Sequence, residues 1–309
     1  MFMKKAFILT LIVCVFVTVL SFFLSQKEAH YENDLERLKG SKRQIVPWGQ
    51  ELVGVNTNTD KKIKVAILDS GIHDQHEDLI GKVTKKFNAL EPGKEIRDDF
   101  GHGTAIAGII TANHNDGGIV GVNQNIEIYD VKVLDEHGTG EVEDFIKGIH
   151  WAMKEGADMI NVSFGIQSDN DQLKEAITEA REAGIIIVAA AGNTYGLGVD
   201  YPAKYENVLS VAAINKELLR PSSSARGKID YTAPGVNILS TDHKGGYSLF
   251  TGTSFAAGYA SGAISVLLAN YKSSSLAEAI PFEEFLQKHT FHLAEKKENE
   301  YGKGLLTIK

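Results

Sequence analysis

The sequence predicts an α/β fold in which a doubly wound, mainly parallel sheet carries helices on both faces. Short apolar runs rich in β-branched residues alternate along the chain with segments of helical periodicity, and several runs end in a polar residue. This alternation is typical of parallel strands that are joined by covering helices. Because the runs are apolar almost throughout, we expect strands that are buried on both faces.

The predicted elements follow one another from residue 44 onward. Strands are expected in the segments KIKVAILDSG, IEIYDVKVLD, ADMINVSFG, IIIVAAAGN and NVLSVAAIN. Helices are expected in TAIAGIITA, EVEDFIKGIHWAMKEG, DNDQLKEAITEAREAG and SFAAGYASGAISVLLANY, of which the last is apolar enough to be buried. Ligands bind beyond the carboxyl ends of the strands in such sheets, so the residues that lie there, Asp69, Ser163 and Asn193, indicate the expected site.

Composition and charge restrict the classes of function. The chain has 309 residues, of which 43% are hydrophobic and 23% charged, enough for one large domain with a deep core. The net charge of −8 argues against nucleic acid as a partner and suits a body that tolerates basic substrates. Cys14 is the only cysteine, so no intramolecular disulfide can form. We expect a monomer.

Residues 1–25 are predicted to be a membrane anchor or a signal segment. Residues 6–24 form an uncharged apolar run of 19 residues behind Lys4 and Lys5. The run approaches the roughly 20 residues that span a bilayer and exceeds the about 7–15 residues of a signal core. We favour an uncleaved anchor with the body outside the cell membrane, although the basic residues after the run favour the opposite orientation. A cleaved segment would give a secreted protein.

Residues 26–43 are polar and charged, and they are expected to form a stalk or a short pro-segment. They end in the dibasic pair Lys42-Arg43, directly before Gln44. A stretch of this composition cannot bury a core of its own.

Three residues suggest a catalytic role when they are considered together. Asp69 ends a strand, His102 lies at a helix start in FGHGTAIAG, and Ser254 lies at another in FTGTSFAAG. A serine nucleophile needs a base, a histidine can be that base, and a carboxylate orients the ring. A helix N-terminus offers backbone N–H groups to a developing oxyanion. Taken singly, each residue is better explained as a turn acid, a loop histidine or a helix cap.

The motifs together resemble the subtilisin-like serine proteases. VAILDSGI, GHGTAIAG, AAAGN and GTSFA stand in the order of that family's signature blocks, and connecting segments such as VKVLDEHGTG and YPAKYENVLSVAAI also match. The order Asp, His, Ser is the subtilisin order. The resemblance runs from Gln44 to the end, so residues 44–309 are expected to form a subtilisin-like catalytic domain and the fold to be that of the family.

The resemblance implies a serine endopeptidase that acts on peptides or proteins. Asp69 would orient His102, His102 would be the general base, and Ser254 would form an acyl-enzyme. Asn193 would donate its side-chain amide to the oxyanion beside the Ser254 N–H. The substrate would bind as an added strand between two segments of the chain. The implied substrate-binding residues are Leu134, Gly138, Gly140, Ser163, Gly165, Gly192 and Asp200.

Asp200 is expected at the base of the S1 pocket, which takes the residue before the cut bond. A carboxylate there would attract Lys or Arg, whereas a surface turn acid is the alternative, and the sequence leaves both open. Glu136, Glu141 and Glu143 also favour basic substrates. A basic preference would make Arg43 a site of self-release and suits a role in processing.

The family's structural calcium site maps onto the start of the domain and a loop in NHNDGGI. Oxygen ligands from side chains and carbonyls suit Ca²⁺, whereas a plain polar loop is the alternative. No cofactor is expected for catalysis itself. The implied ligands are Gln44, Asp78, Asn113, Asn115, Gly117 and Ile119.

The chain departs from the family pattern at several places. Gly258 stands where proline is usual and Tyr259 where histidine is usual, which leaves open how firmly the nucleophile is held. The stretch before Gln44 is too short for the usual long prodomain. The alternative function is a pseudoprotease that binds peptides without cutting them. An α/β-hydrolase esterase is a third choice, but its G-x-S-x-G motif is absent around Ser254.

Overall fold

A computed structural model describes residue 38 and residues 43–58, 61–293 and 295–309. The apolar run 6–24 and nearly all of residues 26–43 lie outside this range, so the anchor, signal and stalk predictions stay predictions. Among the residues that the structure describes, no helix combines the length and the apolar character needed to cross a bilayer.

A nine-stranded sheet forms the centre of the described body. Its order is β10-β11-β7-β6-β5-β4-β1-β3-β2, and all neighbours are parallel except the pair β10–β11. A separate antiparallel hairpin joins β8 to β9. The strands are β1 Ile63–Asp69, β2 Val83–Asn88, β3 Ile126–Lys132, β4 Met159–Val162, β5 Ile186–Ala190, β6 Leu209–Ile214, β7 Tyr231–Pro234, β8 Ile238–Thr241, β9 Tyr247–Phe250, β10 Thr290–Phe291 and β11 Leu305–Leu306.

Helices cover both faces of this sheet. In β1, Ile67 packs into one hydrophobic cluster and Leu68 into a second, because successive side chains of a strand point to opposite faces. The first cluster contains α2 and α5, and the second contains α3 and α4. The helices are α1 Trp48–Val53, α2 His102–Thr111, α3 Val142–Lys154, α4 Asp171–Glu182, α5 Thr253–Ser273, α6 Phe282–Lys288 and α7 Glu298–Tyr301, with a short 3₁₀ turn at Ser275–Glu278. The predicted doubly wound fold is confirmed.

Helix α5 is the central support of one face. Its residues are buried from Thr253 to Ala269 with the exception of Ser254, as its apolar composition predicts. The N-terminal helix α1 packs against it, because Tyr259 Oη donates to Gln50 Oε1 at 2.6 Å. A Cβ added at Gly49 would lie 2.3 Å from the Tyr259 ring, so glycine leaves the space that the tyrosine fills.

The outer strands β2, β7, β10 and β11 of the sheet and the hairpin β8–β9 are absent from the sequence-based prediction. Strand β2 reads VTKKFN and alternates between half-buried and exposed residues, so it lacks the apolar run that marks the central strands. It lies at the edge of the sheet, where charged residues are common because they discourage pairing with another chain.

Candidate active site

The expected site residues gather at one edge of the sheet. Asp69 ends β1, Ser163 follows β4, and Asn193 follows β5 by a few residues. These three strands are neighbours in the sheet. Helices α2 and α5 begin at His102 and at Thr253, which brings a histidine and the Ser254 turn to the same edge. Side chains distant in sequence therefore meet in one cleft, as the strand order requires.

Asp69 and His102 form the central pair of the cleft. His102 Nδ1 lies 2.8 Å from Asp69 Oδ1 and 2.9 Å from Asp69 Oδ2. The Asp69 side chain is 1% exposed and the His102 side chain 18%, so the carboxylate is sealed while the ring still reaches the cleft. Burial lowers the pKa of His102, but the charge and hydrogen bond of Asp69 act against burial, and the pKa ends above its ordinary value.

A second buried carboxylate, Asp98, fastens the start of α2. It accepts hydrogen bonds from Ser70 Oγ at 2.8 Å and from Gly101 N at 2.7 Å. It also accepts from the backbone N–H and the hydroxyl of Thr104 at 3.0 and 2.5 Å. Sequence reasoning missed Asp98, although an acid four residues before His102 was visible and could have been read as a helix-capping group.

Ser254 lies in the first turn of α5, one residue before Phe255, which faces the histidine. Gly252 before it has φ +155 and donates its N–H to Gly235 O at 2.8 Å, which fixes the entry into the helix. The ring of Phe255, the residue after Ser254, lies 5.3 Å from the His102 ring. Ser254 itself is half-buried, so its hydroxyl can be reached from the cleft.

The side chain of Asn193 is oriented by the same helix start. Thr253 N donates to Asn193 Oδ1 at 3.2 Å, so the oxygen faces the helix and the Nδ2 donor remains for another acceptor. Gly192 N donates to Thr253 Oγ1 at 3.1 Å and ties the end of the β5 segment to the same turn. Asn193 is exposed at the cleft.

A groove runs between the two segments expected to hold substrate, residues 138–140 and 163–165. A cavity of about 230 Å³ lies there, and both segments contribute to its lining. Its apolar walls include Leu134, Phe145 and Phe164, with the two phenylalanine rings in edge contact at 4.9 Å. Sequence reasoning placed Leu134 here but missed Phe145 and Phe164, because each reads as an ordinary core residue of its element.

Asp200 lies behind the two glycines expected to wall the S1 pocket. A Cβ at Gly165 would be 2.5 Å from Asp200 Cβ, and one at Gly192 would be 2.2 Å from Asp200 Oδ2. The Asp200 backbone is held by a bond from its N–H to Ala191 O at 3.0 Å. Burial raises the pKa of Asp200. Burial is the only cause of this shift, and within the described residues no hydrogen bond or ion pair opposes it, so the carboxylate is available to a cationic ligand.

Comparison with known proteins identifies the family. The model of the Subtilase family (Peptidase S8) matches residues 60–304. The chain belongs to the subtilase family of serine endopeptidases.

Curated relatives agree with this assignment. The chain is 36% identical over 255 residues to "Minor extracellular protease Epr" of Bacillus subtilis (strain 168), covering 81% of this chain and 38% of that protein. It is 34% identical over 275 residues to "Subtilisin DY" of Bacillus licheniformis, covering 86% of this chain and 98% of that one. It is 38% identical over 236 residues to "Thermostable alkaline protease" of Halalkalibacterium halodurans, covering 74% of this chain and 64% of that one. The subtilase thus spans nearly all of one relative and under two thirds of the other two.

The expected calcium loop of this subtilase brings several oxygens to one point. Four oxygens surround Gln44 Nε2: Asn113 O at 2.7 Å, Asn115 Oδ1 at 3.3 Å, Gly117 O at 3.3 Å and Ile119 O at 3.2 Å. The nitrogen and oxygen of a glutamine amide are assigned from hydrogen bonds alone, so the alternative orientation would present Gln44 Oε1 to the same oxygens.

Asp78 supplies the one buried carboxylate beside this point. It accepts hydrogen bonds from Asn115 Nδ2 at 3.0 Å, from Ile119 N at 2.8 Å and from Tyr247 Oη at 2.8 Å. The described residues contain no cluster of three or more His, Cys, Asp or Glu side chains suited to a metal. A cation here would therefore depend on carbonyl and amide oxygens, which is a donor set that fits Ca²⁺.

Gly258 and Tyr259, the two departures from the family pattern, are accommodated inside α5. A Cβ at Gly258 would make ordinary contacts at 3.5 Å with Ile109 Cγ2, so close packing does not demand glycine. The helix continues without interruption through this position. The nucleophile turn is thus part of a regular helix.

Proposed function

We propose that this subtilase cuts peptide bonds with Asp69, His102 and Ser254. The His102–Asp69 hydrogen bond beside the Ser254 turn is the observation that carries this proposal. His102 Nε2 accepts the Ser254 proton as Oγ attacks the substrate carbonyl carbon. The proton then passes to the leaving amine, and the C–N bond breaks to give an acyl-enzyme. Water then attacks the carbonyl carbon of the acyl-enzyme, with His102 again as the general base. The bond to Ser254 Oγ breaks, and the carboxylic acid product leaves.

The oxyanion of each tetrahedral intermediate would be stabilised by two donors. The hydrogen bond from Thr253 N occupies Asn193 Oδ1 and leaves Asn193 Nδ2 available to donate. The second donor is the N–H of Ser254 at the start of α5. Removing one such donor costs on the order of 10²–10³ in kcat, a value measured on subtilisin, a relative of this chain. Asn193→Gly should therefore lower kcat by about that factor and leave KM almost unchanged.

The substrate would lie as an extended strand in the groove between residues 138–140 and 163–165. The apolar cavity of about 230 Å³ beside Leu134 suits an apolar substrate side chain. The half-buried Asp200 carboxylate beside Gly165 and Gly192 suits a Lys or Arg before the cut bond, because a carboxylate with partial loss of solvent is best paired with a cation. Basic preference is consistent with a role in processing.

Calcium would have a structural role in this subtilase. Gln44, Asp78 and the carbonyls of residues 113, 117 and 119, with Asn115, would hold the ion and tie the start of the domain to the loop after α2. The ion would supply positive charge to the oxygens of this loop and would take no part in the peptide-bond chemistry.

An exported or membrane-anchored location follows from the sequence and from one relative. The apolar run at residues 6–24 predicts passage into or through a membrane. The relative Epr carries the word "extracellular" in its name. Self-cleavage after Arg43 would release the domain from its N-terminal segment. N-terminal sequencing of wild-type protein and of Ser254→Ala tests this, since only the wild type should begin at Gln44.

Cleavage of peptides by the full-length chain in detergent tests the proposed function. Wild-type protein should release products from a mixed peptide library, and Ser254→Ala should release none. A wild type that binds these peptides without cutting them would contradict the proposal and favour the pseudoprotease alternative.

A further inference from the structure

A row of buried polar side chains leads from the middle of α5 to the peptide of Ser254. Ser261 Oγ donates to Asn161 Oδ1 at 2.8 Å, and Asn161 Nδ2 donates to Ser163 Oγ at 2.7 Å. Ser163 Oγ in turn donates to the carbonyl oxygen of Ser254 at 3.2 Å. Asn161 and Ser261 are fully buried and Ser163 is 1% exposed, so bulk water does not compete for these groups.

The carbonyl oxygen of Ser254 sets the direction of this row. A carbonyl oxygen only accepts, so Ser163 Oγ must give its proton there and accept from the amide nitrogen of Asn161. With the Asn161 nitrogen turned to Ser163, Asn161 Oδ1 faces Ser261 and accepts from its hydroxyl. Each bond in the row thus determines the next one.

We propose that Asn161 is a positioning residue that holds the Ser254 peptide through Ser163. This inference rests on the proposed function, in which Ser254 supplies both the nucleophilic Oγ and an oxyanion N–H. Both groups belong to the residue whose carbonyl Ser163 holds, so a shift of the backbone at Ser254 displaces them together. Displacements of about 1 Å can cost on the order of 10²-fold in rate.

A second buried asparagine bonds to a serine of the same helix and offers a matched control. Asn123 Nδ2 donates to Ser265 Oγ at 2.8 Å, one turn of α5 beyond Ser261. Both of these residues are fully buried, like Asn161 and Ser261. Their hydrogen bonds lead to the backbone of Gly262 and Asn125 and not to Ser254. Replacing Asn123 therefore removes a comparable buried amide without touching the nucleophile.

The experiment measures kcat, KM and melting temperature for Asn161→Ala, Asn123→Ala and wild-type protein, using the full-length chain and one peptide substrate. Both alanine variants should melt lower than the wild type. Asn161→Ala should lose roughly tenfold to a hundredfold in kcat at nearly constant KM, while Asn123→Ala keeps the wild-type kcat.

A double substitution tests whether Asn161 acts through Ser163. The kcat of Asn161→Ala/Ser163→Ala should equal that of Ser163→Ala alone, because residues that work in series are not additive. If Asn161→Ala does not fold, Asn161→Asp retains the shape and the acceptor for Ser261 but lacks the N–H, and the ionised form should show the same fall in kcat.

The outcomes separate this inference from the proposed function. An active wild type together with unchanged kcat in Asn161→Ala, or in Asn161→Asp where that variant replaces it, would overturn the inference alone. Equal falls in kcat for Asn161→Ala and Asn123→Ala would also overturn it, since the effect would then be a general loss of core order. A wild type without any turnover would overturn the proposed function and this inference with it.

Discussion

The carboxylate of Asp200 lies directly behind Gly192, so close that a Cβ on this glycine would stand 2.2 Å from Asp200 Oδ2. Gly165 borders the same side chain from the other segment. The acid therefore lies next to both glycines, which is the arrangement that the proposed pocket base requires, while the sequence alone left a surface turn as an equal alternative.

We expect Asp200→Asn to remove a preference for basic residues before the cut bond. The ratio of kcat/KM for Arg over Leu substrates should fall about tenfold or more, since hydrogen bonds between charged partners are worth about 1.5–3 kcal/mol. A peptide series that varies only this residue measures it. The exposed Glu175 on α4 offers a control, because Glu175→Gln leaves the pocket untouched. An unchanged ratio in Asp200→Asn would make Asp200 a bystander.

We expect peptide cleavage to fall at acid pH as His102 becomes protonated, because the base must be neutral to accept the serine proton. Asp98 is one of the charges that raise the pKa of His102, after Asp69. Asp98→Asn should therefore move the acid limb of kcat/KM to lower pH.

The neighbouring acid gives the control for this shift. Asp99 is exposed and paired with Arg97, so Asp99→Asn should leave the acid limb where it is. An acid limb that moves to higher pH in Asp98→Asn, or moves equally in both variants, would refute the assigned role of Asp98.

Asp130 on β3 makes the stability of the fold depend on pH. It is fully buried, and within the described residues neither of its carboxylate oxygens has a hydrogen bond of normal geometry. Burial raises the pKa of Asp130 to about 8; Lys86 and the nearby backbone N–H of Ile72 act against this, and Asp98 and Asp74 add to it. Above the ordinary pKa the unfolded chain has lost this proton while the folded chain keeps it. The free energy of unfolding therefore falls as the pH rises towards 8.

We expect Asp130→Asn to remove this fall, because an amide does not titrate. The variant should gain on the wild type by up to about 1.4 kcal/mol per pH unit across that window. Urea unfolding at several pH values measures the difference, and Glu175→Gln should run parallel to the wild type. A gap between Asp130→Asn and the wild type that stays constant with pH would show that Asp130 titrates normally.

We expect chelation of Ca²⁺ to lower the melting temperature of the wild type. The ion would bind only the folded chain, and such binding at a hundredfold excess over Kd adds about 2.7 kcal/mol. Asp78→Asn should reduce the response to added Ca²⁺, while Asp116→Asn in the same loop, which is not an expected ligand, should retain it. Equal melting curves with and without Ca²⁺ for the wild type would contradict the proposed site.

The sequence was sufficient for the five central strands of the sheet and for the cleft edge because both depend on local pattern. The apolar segments around Asp69, Ser163 and Asn193 have the composition of buried strands, and parallel strands place their ends together. Strand β2 escaped prediction because Lys85 and Lys86 interrupt its apolar pattern. An edge strand pairs with one neighbour only and buries fewer side chains, so its sequence shows a weaker apolar pattern.

The parts of the site that were missed depend on contacts between distant segments. Asp98 looks like a loop acid until the structure shows its bonds to Ser70 and Thr104. Asn161 looks like a polar interruption of a strand until Ser261 is found opposite it, 100 residues later. The position of Asp200 relative to Gly165 and Gly192 depends on the conformation of its loop, and residue spacing does not determine that conformation.

The covalent reactivity of Ser254 tests the central claim most directly. Full-length wild-type protein is treated with a fluorophosphonate, and the labelled peptide is mapped by mass spectrometry beside Ser254→Ala. The proposed mechanism predicts one phosphonyl group on Ser254 of the wild type, formed with release of fluoride, and none on the variant. An unlabelled wild type that is folded by its melting curve, or equal labelling of both proteins, would contradict it.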